Sequence, residues 1–141
     1  MTPMKCLVTG GAGFIGSHVA DRLARDGHRV RVVDNLSTGS EANLESVRDA
    51  IEFLHADLRD PAVCARAVAG CEVVFHLAAM PSVPRSMADP LGCHEHNVDA
   101  TVHLVLAARD AGARRVVFSS SSSVYGDTPT LPKVESADLL P

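Results

Sequence analysis

Three groups of residues are equipped for chemistry: a glycine-rich turn, Thr9-Gly10-Gly11-Ala12-Gly13-Phe14-Ile15-Gly16; an acid, Asp34, closing the next apolar run; and five consecutive serines, Ser119 to Ser123, ahead of Val124-Tyr125-Gly126-Asp127. A glycine turn between a strand and a helix offers backbone N–H groups and the positive end of a helix dipole to phosphates. The glycines divide the work. Gly10 permits the tight turn off the strand, Gly13 lets backbone approach a pyrophosphate, and Gly16 lets helix and strand pack closely. The spacing is G-x-x-G-x-x-G and on its own is weak evidence, because loops are glycine-rich for many reasons. Its setting is specific. Apolar Cys6-Leu7-Val8 precedes it, an amphipathic helix follows (Val19 and Leu23, with Arg22, Arg25 and Asp26 between), and Gly27 leads into Arg29-Val30-Arg31-Val32-Val33-Asp34. That is a complete βαβ unit with an acid at the end of its second strand. A carboxylate there accepts both ribose hydroxyls of an adenosine and repels a 2′-phosphate, which favours NAD over NADP. Asp34 also opens the turn Asp34-Asn35-Leu36-Ser37-Thr38-Gly39, rich in turn formers, and the two roles are compatible.

The elements that position these groups follow from apolar runs and breakers. Ile51-Glu52-Phe53-Leu54-His55-Ala56 reads as a third strand, Pro61 to Ala69 as a helix opening on proline, and Val73-Val74-Phe75-His76-Leu77 as a fourth strand. Val98, Val102, Val105 and Leu106 make one face of a long helix ending at Gly112, and Arg115-Val116-Val117-Phe118-Ser119 is the fifth strand. Strands alternating with helices predict a parallel α/β sheet wound right-handedly, with ligand at the carboxyl ends of strands one and four. The serine run leaves a central strand beside that position. Strand alternation puts Ser119, Ser121 and Ser123 on one face, and a slip of one residue would exchange the faces.

With these residues in place, the chain resembles the extended short-chain dehydrogenase/reductases of the NAD-dependent epimerase/dehydratase family, from Lys5 to its last residue. Four further stretches carry the resemblance: Ala56-Asp57-Leu58-Arg59-Asp60, His76-Leu77-Ala78-Ala79, Asn97-Val98-Asp99-Ala100-Thr101, and the serine run through Asp127. The resemblance implies a doubly wound Rossmann sheet with helices on both faces, truncated after the fifth strand, so that residues 1–141 form an incomplete NAD-binding domain without its substrate domain. It implies that Phe14 and Ile15 meet the pyrophosphate by backbone, alongside Gly10, Gly13 and Gly16. Asp34 and Asn35 would hold the ribose, with Leu36, Ser37, Thr38 and Gly39 of the same turn beside it. Asp57 and Leu58 would meet the adenine, Leu77, Ala78 and Ala79 would line the far side of the cofactor, and Asn97 would reach toward it from the following helix.

By the same resemblance Ser121 is the catalytic serine that hydrogen-bonds the reacting hydroxyl of a sugar. Met80-Pro81-Ser82-Val83-Pro84-Arg85-Ser86 is similar to the loop that faces the sugar in such enzymes, making Ser82, Val83 and Arg85 substrate candidates; a proline-bounded surface loop with a solvated arginine is the plainer reading. The family's base is a tyrosine in Tyr-x-x-x-Lys, where the lysine four residues on lowers the phenol pKa. Here Tyr125 is the only tyrosine, Pro129 stands four residues on, and Lys133 stands eight on, so the pair cannot form. The chain is therefore expected to be the N-terminal piece of a longer enzyme, inactive alone. No acid lies at Ser122 or Ser123, where the family's dehydratases and decarboxylases carry one. That favours epimerisation at C4 of a nucleotide sugar, a UDP-hexose, through a transient 4-keto sugar. A NAD-binding module without catalysis stays open as the alternative, as does another reaction of the same family.

Composition narrows the field further. The 141 residues carry a formal net charge of −4 with dispersed basic residues, which gives no nucleic-acid footprint, and no apolar run approaches membrane-spanning length. A cytoplasmic location and a homodimeric parent are the expectations. Lys5-Cys6-Leu7-Val8-Thr9 runs straight into the glycine turn, leaving no room for a signal-peptide core. Cys6, Cys64, Cys71 and Cys93 form no C-x-x-C pair and read as reduced thiols, mostly buried. Cys93-His94-Glu95-His96 has metal-ligand residue types, but two histidines two apart on a helix point to opposite sides, so no metal site is expected.

Overall fold

The structure is a computed structural model and describes residues 2–129 and 131–140. Pro141, whose position closes the sequence, lies outside the described residues. Five strands, β1 (Lys5–Thr9), β2 (Arg29–Asp34), β3 (Ile51–His55), β4 (Val73–His76) and β5 (Arg115–Phe118), form one sheet in the order β3-β2-β1-β4-β5. Every pairing is parallel, and Val8 at the centre faces Val32 on one side and Phe75 on the other. The order reverses between β1 and β4. At such a switch point two successive connections leave on opposite faces and a crevice opens above the carboxyl ends of the strands.

Both faces are covered, which is why the middle of β1, Cys6-Leu7-Val8, reads as an unbroken apolar run rather than an alternating one. Val8, Val30 and Val32 pack with Ala20 of helix α1 (Phe14–Arg25) and Leu44 of a 3₁₀ helix (Glu41–Ala50). Leu7, Val33 and Val74 pack on the other face with helices α2 (Pro61–Val68) and α5 (Ala100–Asp110). Helix α2 begins on Pro61, and the Asp60 side chain accepts from the Ala62 amide. At its other end Arg31, a charged residue inside the sheet, shares its Nη1 protons among the carbonyls of Arg66, Ala67 and Ala69 at 3.0, 2.7 and 3.1 Å. A buried guanidinium is tolerated there because its Nε pairs with the Glu52 carboxylate at 2.9 Å while its Nη1 meets carbonyls the helix cannot satisfy, at the negative end of the dipole. Among the described residues, no helix is long and apolar enough to cross a membrane.

The strands follow the sequence reading to within a residue, but three expectations need correction. Val98, Val102, Val105 and Leu106 form the exposed side of the long helix, between 43% and 50% accessible, and the buried stripe is Ala100, Leu104 and Ala108. Small residues on either side of Leu104, Ala100 and Ala108, let α5 lie close against α2 and the sheet, so closeness rather than bulk chose the inner face. The serine run is not strand. β5 stops at Phe118 because β4 ends at His76, whose carbonyl takes the Ser119 amide, and beyond it there is no partner to extend the ladder. The chain then turns into a 3₁₀ segment, Ser122–Tyr125, so the alternating-face argument for Ser119, Ser121 and Ser123 does not apply. Finally, Val83 to Ala88 is a short helix, α3, not a loop, and a second short helix, α4 (Pro90–His94), follows it.

If Leu104 fills the α5–sheet interface and Val105 faces outward, Leu104→Ala should cost about 2–5 kcal/mol and Val105→Ala less than about 1 kcal/mol. Urea unfolding of the two variants checks this; equal losses would mean the inner face is wrongly placed.

Candidate functional site

The crevice above the switch point is a cavity of about 380 Å³, a size ordinary for small-molecule sites. Its lining gathers Gly10, Gly13, Asp34, Asn35, Ser37, Thr38, Asp57, Leu58, Leu77, Ala78, Ala79, Ser82 and Arg85 from separate parts of the chain. The glycine turn forms its floor. Gly10 has a φ of +63°, and a Cβ there would come within 2.7 Å of the Ala78 nitrogen, so side chain and backbone both exclude any other residue. A Cβ on Gly16 would stand 2.2 Å from the Gly10 carbonyl oxygen, which lets α1 start directly against the turn. Gly13 caps α1 without a side-chain hydrogen bond, so the amides of the first turn, those of Phe14 and Ile15 included, remain open to an anion. The side chains of these two are 79% and 60% exposed and leave the cavity free.

On the β2 side Asp34 does two structural jobs. Its Oδ2 accepts from the Ala12 amide at 3.0 Å and its Oδ1 from the Leu36 amide at 2.8 Å, tying the glycine turn to the turn after β2. Leu36 adopts a φ of 58°, and Asp34 holds the amide of that strained residue. Each carboxylate oxygen accepts one of these bonds and keeps further acceptor capacity beyond its role in the turn. Asp57 accepts from Asn35 Nδ2 at 3.0 Å and pairs with Arg59, which reaches on to Glu95. Burial alone would raise the Asp57 carboxyl; the bonds from Arg59 and Asn35 outweigh it and hold it well below the usual carboxylate range. Leu58 is buried between these groups and α2, its carbonyl accepting from the Cys64 thiol, which burial pushes up to about 11. Cys6, Cys64 and Cys71 are buried free thiols.

On the β4 side a closed hydrogen-bond network sets the wall. Thr9 Oγ1 accepts from the Leu77 and Ala78 amides, each at 3.2 Å, and lies 2.7 Å from His76 Nδ1. The Leu77 amide also reaches the Thr9 carbonyl at 3.3 Å. Thr101 Oγ1, whose own proton goes to the Asn97 carbonyl at 2.7 Å, accepts from Nε2 at 2.9 Å, so the imidazole proton sits on Nε2 and Nδ1 accepts from the Thr9 hydroxyl. His76 is 1% exposed and packs against the Phe118 ring, and burial pushes its pKa down to about 4.

Several expected site residues stand outside the lining. Asn97 does not face the cavity; its amide grips the Met80 backbone, Oδ1 taking the Met80 N–H at 2.7 Å and Nδ2 giving to the Met80 carbonyl. Leu36, Gly39 and Val83 flank the cavity without lining it. Ser82 caps α3 through the Arg85 amide while still facing the cavity. Ser121 is exposed, caps its 3₁₀ segment and donates to Ser123 Oγ at 3.0 Å. Val33, Ala56, Met80, Pro81, His96 and Ala100 line the cavity without having been singled out for it. His96 gets there through a π-turn, Glu95–Asp99, in which the Ala100 amide reaches back to the Glu95 carbonyl. No periodicity in the sequence announces such a turn. His94 pairs outward with Asp99 while His96 Nδ1 meets the Gly92 carbonyl, so the two histidines have separate partners.

Comparison with known proteins narrows the reading. Residues 6–141 match the model of the NAD dependent epimerase/dehydratase family. A UDP-glucose 4-epimerase of Mycolicibacterium smegmatis is 48% identical over 142 residues, which covers 98% of this chain and 45% of that protein. The crystal structure of the UDP-glucose-4-epimerase of Stenotrophomonas maltophila, with bound NAD and formylated UDP-arabinopyranose, is 37% identical and superposes with a TM-score of 0.86 over 97% of this chain and 43% of that one. A dTDP-glucose 4,6-dehydratase of Streptomyces venezuelae, solved with NAD and TYD, is 39% identical with a TM-score of 0.86 over 98% and 46%. The chain thus spans under half the length of each of these relatives.

The buried imidazole carries a pH signature. An unfolded histidine binds a proton near pH 6.5 and this one only near 4, so below pH 6.5 the unfolded chain holds the extra proton and stability falls with pH. Urea unfolding should lose on the order of 3 kcal/mol between pH 6.5 and 4, and His76→Gln should flatten that slope. An unchanged slope in the variant would place the titrating group elsewhere.

Proposed function

Because the chain belongs to the NAD dependent epimerase/dehydratase family, we propose that it is the cofactor-holding N-terminal part of a nucleotide-sugar 4-epimerase, with NAD as the occupant of the crevice. The observation that carries this reading is the convergence of the open α1 amides, the Asp34 carboxylate and the Leu77-Ala78-Ala79 wall on one cavity. In this reading the amides of Phe14 and Ile15, with Gly10, Gly13 and Gly16, hold the pyrophosphate. Asp34 and Asn35 hold the adenine-side ribose beside Leu36, Ser37, Thr38 and Gly39. Asp57 and Leu58 border the adenine, and Leu77, Ala78 and Ala79 border the other half of the cofactor, with Asn97 bracing that wall. Bound there, NAD supplies a reversible hydride acceptor for C4 of the sugar.

Ser82, Val83 and Arg85 are the proposed contacts to a UDP-hexose, and Ser121 the proposed hydrogen-bond partner of its reacting hydroxyl. Relatives named as UDP-glucose 4-epimerases support the sugar class. One structural relative is a dehydratase, but Ser122 and Ser123 place no carboxyl between Ser121 and Val124-Tyr125-Gly126, and that absence favours epimerisation. No tyrosine has a lysine four residues on, so a proton acceptor of that kind must come from outside residues 1–141.

Two measurements test the reading. The chain should bind NAD more tightly than NADP, and Asp34→Ala should weaken NAD binding by about tenfold or more and narrow the preference, consistent with loss of charge-assisted hydrogen bonds. Equal affinity for the two cofactors in the unsubstituted chain would contradict it. Purified chain 1–141 should give no interconversion of UDP-glucose and UDP-galactose above a no-protein control; turnover would mean that another residue here serves as base.

A further inference from the structure

We propose that His76 is a positioning residue: through Thr101 it locks Asn97 onto the Met80 backbone and so sets the wall of the crevice where the cofactor leaves β4. The inference rests on the reading that the crevice holds NAD. Neither His76 nor Thr101 lines the cavity, so any effect they have on a ligand there is transmitted.

The argument is one of donor and acceptor accounting. The polar side-chain atoms of Thr9, His76, Thr101 and Asn97 all have partners, and together these fix the direction of the bonds. Thr9 Oγ1 takes the Ala78 amide and a share of the Leu77 amide, which also reaches the Thr9 carbonyl, and its own proton is directed to Nδ1. The imidazole must then donate from Nε2 to Thr101, and Thr101 must donate to the Asn97 carbonyl. That last bond falls inside the π-turn, the one place in this helix where the backbone bonds run to the fifth residue and leave the turn wide. Fixing the Asn97 carbonyl fixes its Cα direction, and the side-chain amide is thereby aimed at Met80, where it makes a two-bond clamp on N–H and C=O. Met80 follows directly on Leu77-Ala78-Ala79 and precedes the segment carrying Ser82 and Arg85. A neutral ring is required throughout, because a proton on Nδ1 would face the Thr9 hydroxyl proton with no acceptor between them. Burial supplies that neutrality, keeping the imidazole uncharged down to about pH 4. Phenylalanine or leucine would fill the same volume, yet neither could carry the direction of a hydrogen bond from β1 to α5.

Thr101→Val tests this with little change of shape, and Thr101→Ser restores the hydroxyl. In the unsubstituted chain, ¹⁵N NMR should show His76 as the Nε2–H tautomer from pH 5 to 8. In Thr101→Val the Met80 amide should exchange with solvent at least tenfold faster while the Leu7 amide in the sheet is unchanged, and the Kd for NAD should rise at least fivefold at a temperature where the variant is fully folded. Thr101→Ser should return both values to within twofold. An Nδ1–H tautomer, an unchanged Met80 exchange rate, or faster exchange with an unchanged Kd would each overturn the proposal. If the unsubstituted chain binds no NAD, the cofactor reading and the coupling to it both fail, and the exchange rate still decides whether the relay holds Met80.

Discussion

One buried hydroxyl, that of Thr9, joins the two strands between which the crevice opens. β1 and β4 run side by side only to Thr9 and His76, then their chains part, one into the glycine turn and one into the wall of the cavity. Strands that separate inside a protein leave amides without ladder partners, and each buried orphan costs about 1–3 kcal/mol. The Thr9 carbonyl still reaches the Leu77 amide, and the Thr9 hydroxyl meets the Ala78 amide, shares that of Leu77 and passes its own proton to His76, so the sheet can split without leaving these donors unpaired. The close contact of Gly10 with Ala78 depends on the same junction, since the turn can lie against Ala78 only while that segment is held down.

From this junction the cavity is built outward by backbone more than by side chains. Open amides of α1 face one region, and the Asp34 carboxylate, anchored by Ala12 and Leu36, faces the next. Asn35, Asp57, Arg59 and Glu95 then bridge from the turn after β2 to the helices beyond β4. The positive and negative ends of the site are thus separated along the sheet edge, a polarity suited to a ligand with a diphosphate in the middle and hydroxyl groups at one side. Arg85 is the one lysine or arginine in the lining, which leaves backbone dipoles as the main source of positive potential at the glycine turn.

Most of the scaffold was legible in the sequence because its signals are local. An apolar strand, three spaced glycines and an acid at the end of the next strand lie within 34 residues, and the structure keeps that order without rearrangement. The 3₁₀ helix of residues 41–50 escaped notice because its only buried residues, Leu44 and Val47, are three apart, a period that suits three residues per turn and resembles neither an α-helix nor a strand. The inner face of α5 was hidden by composition: three valines and a leucine outweigh one leucine and two alanines on any hydrophobic scale, yet the alanines permit the closer approach. Ser121 shows the limit of extrapolating a strand past the end of its neighbour. His76 shows another limit, since its partners lie 67 and 25 residues away and only the folded sheet brings them together.

The direct test of the central claim, that the crevice at the switch point is a NAD site built on this junction, is a two-dimensional ¹H–¹⁵N NMR titration of the chain with NAD. The expected result is saturable shifts confined to the amides of residues 10–16, 34–39, 57–58 and 77–80, with those of the outer face of α5 unmoved. Shifts that gather elsewhere on the surface, or no saturable shifts while the chain remains folded, would contradict it.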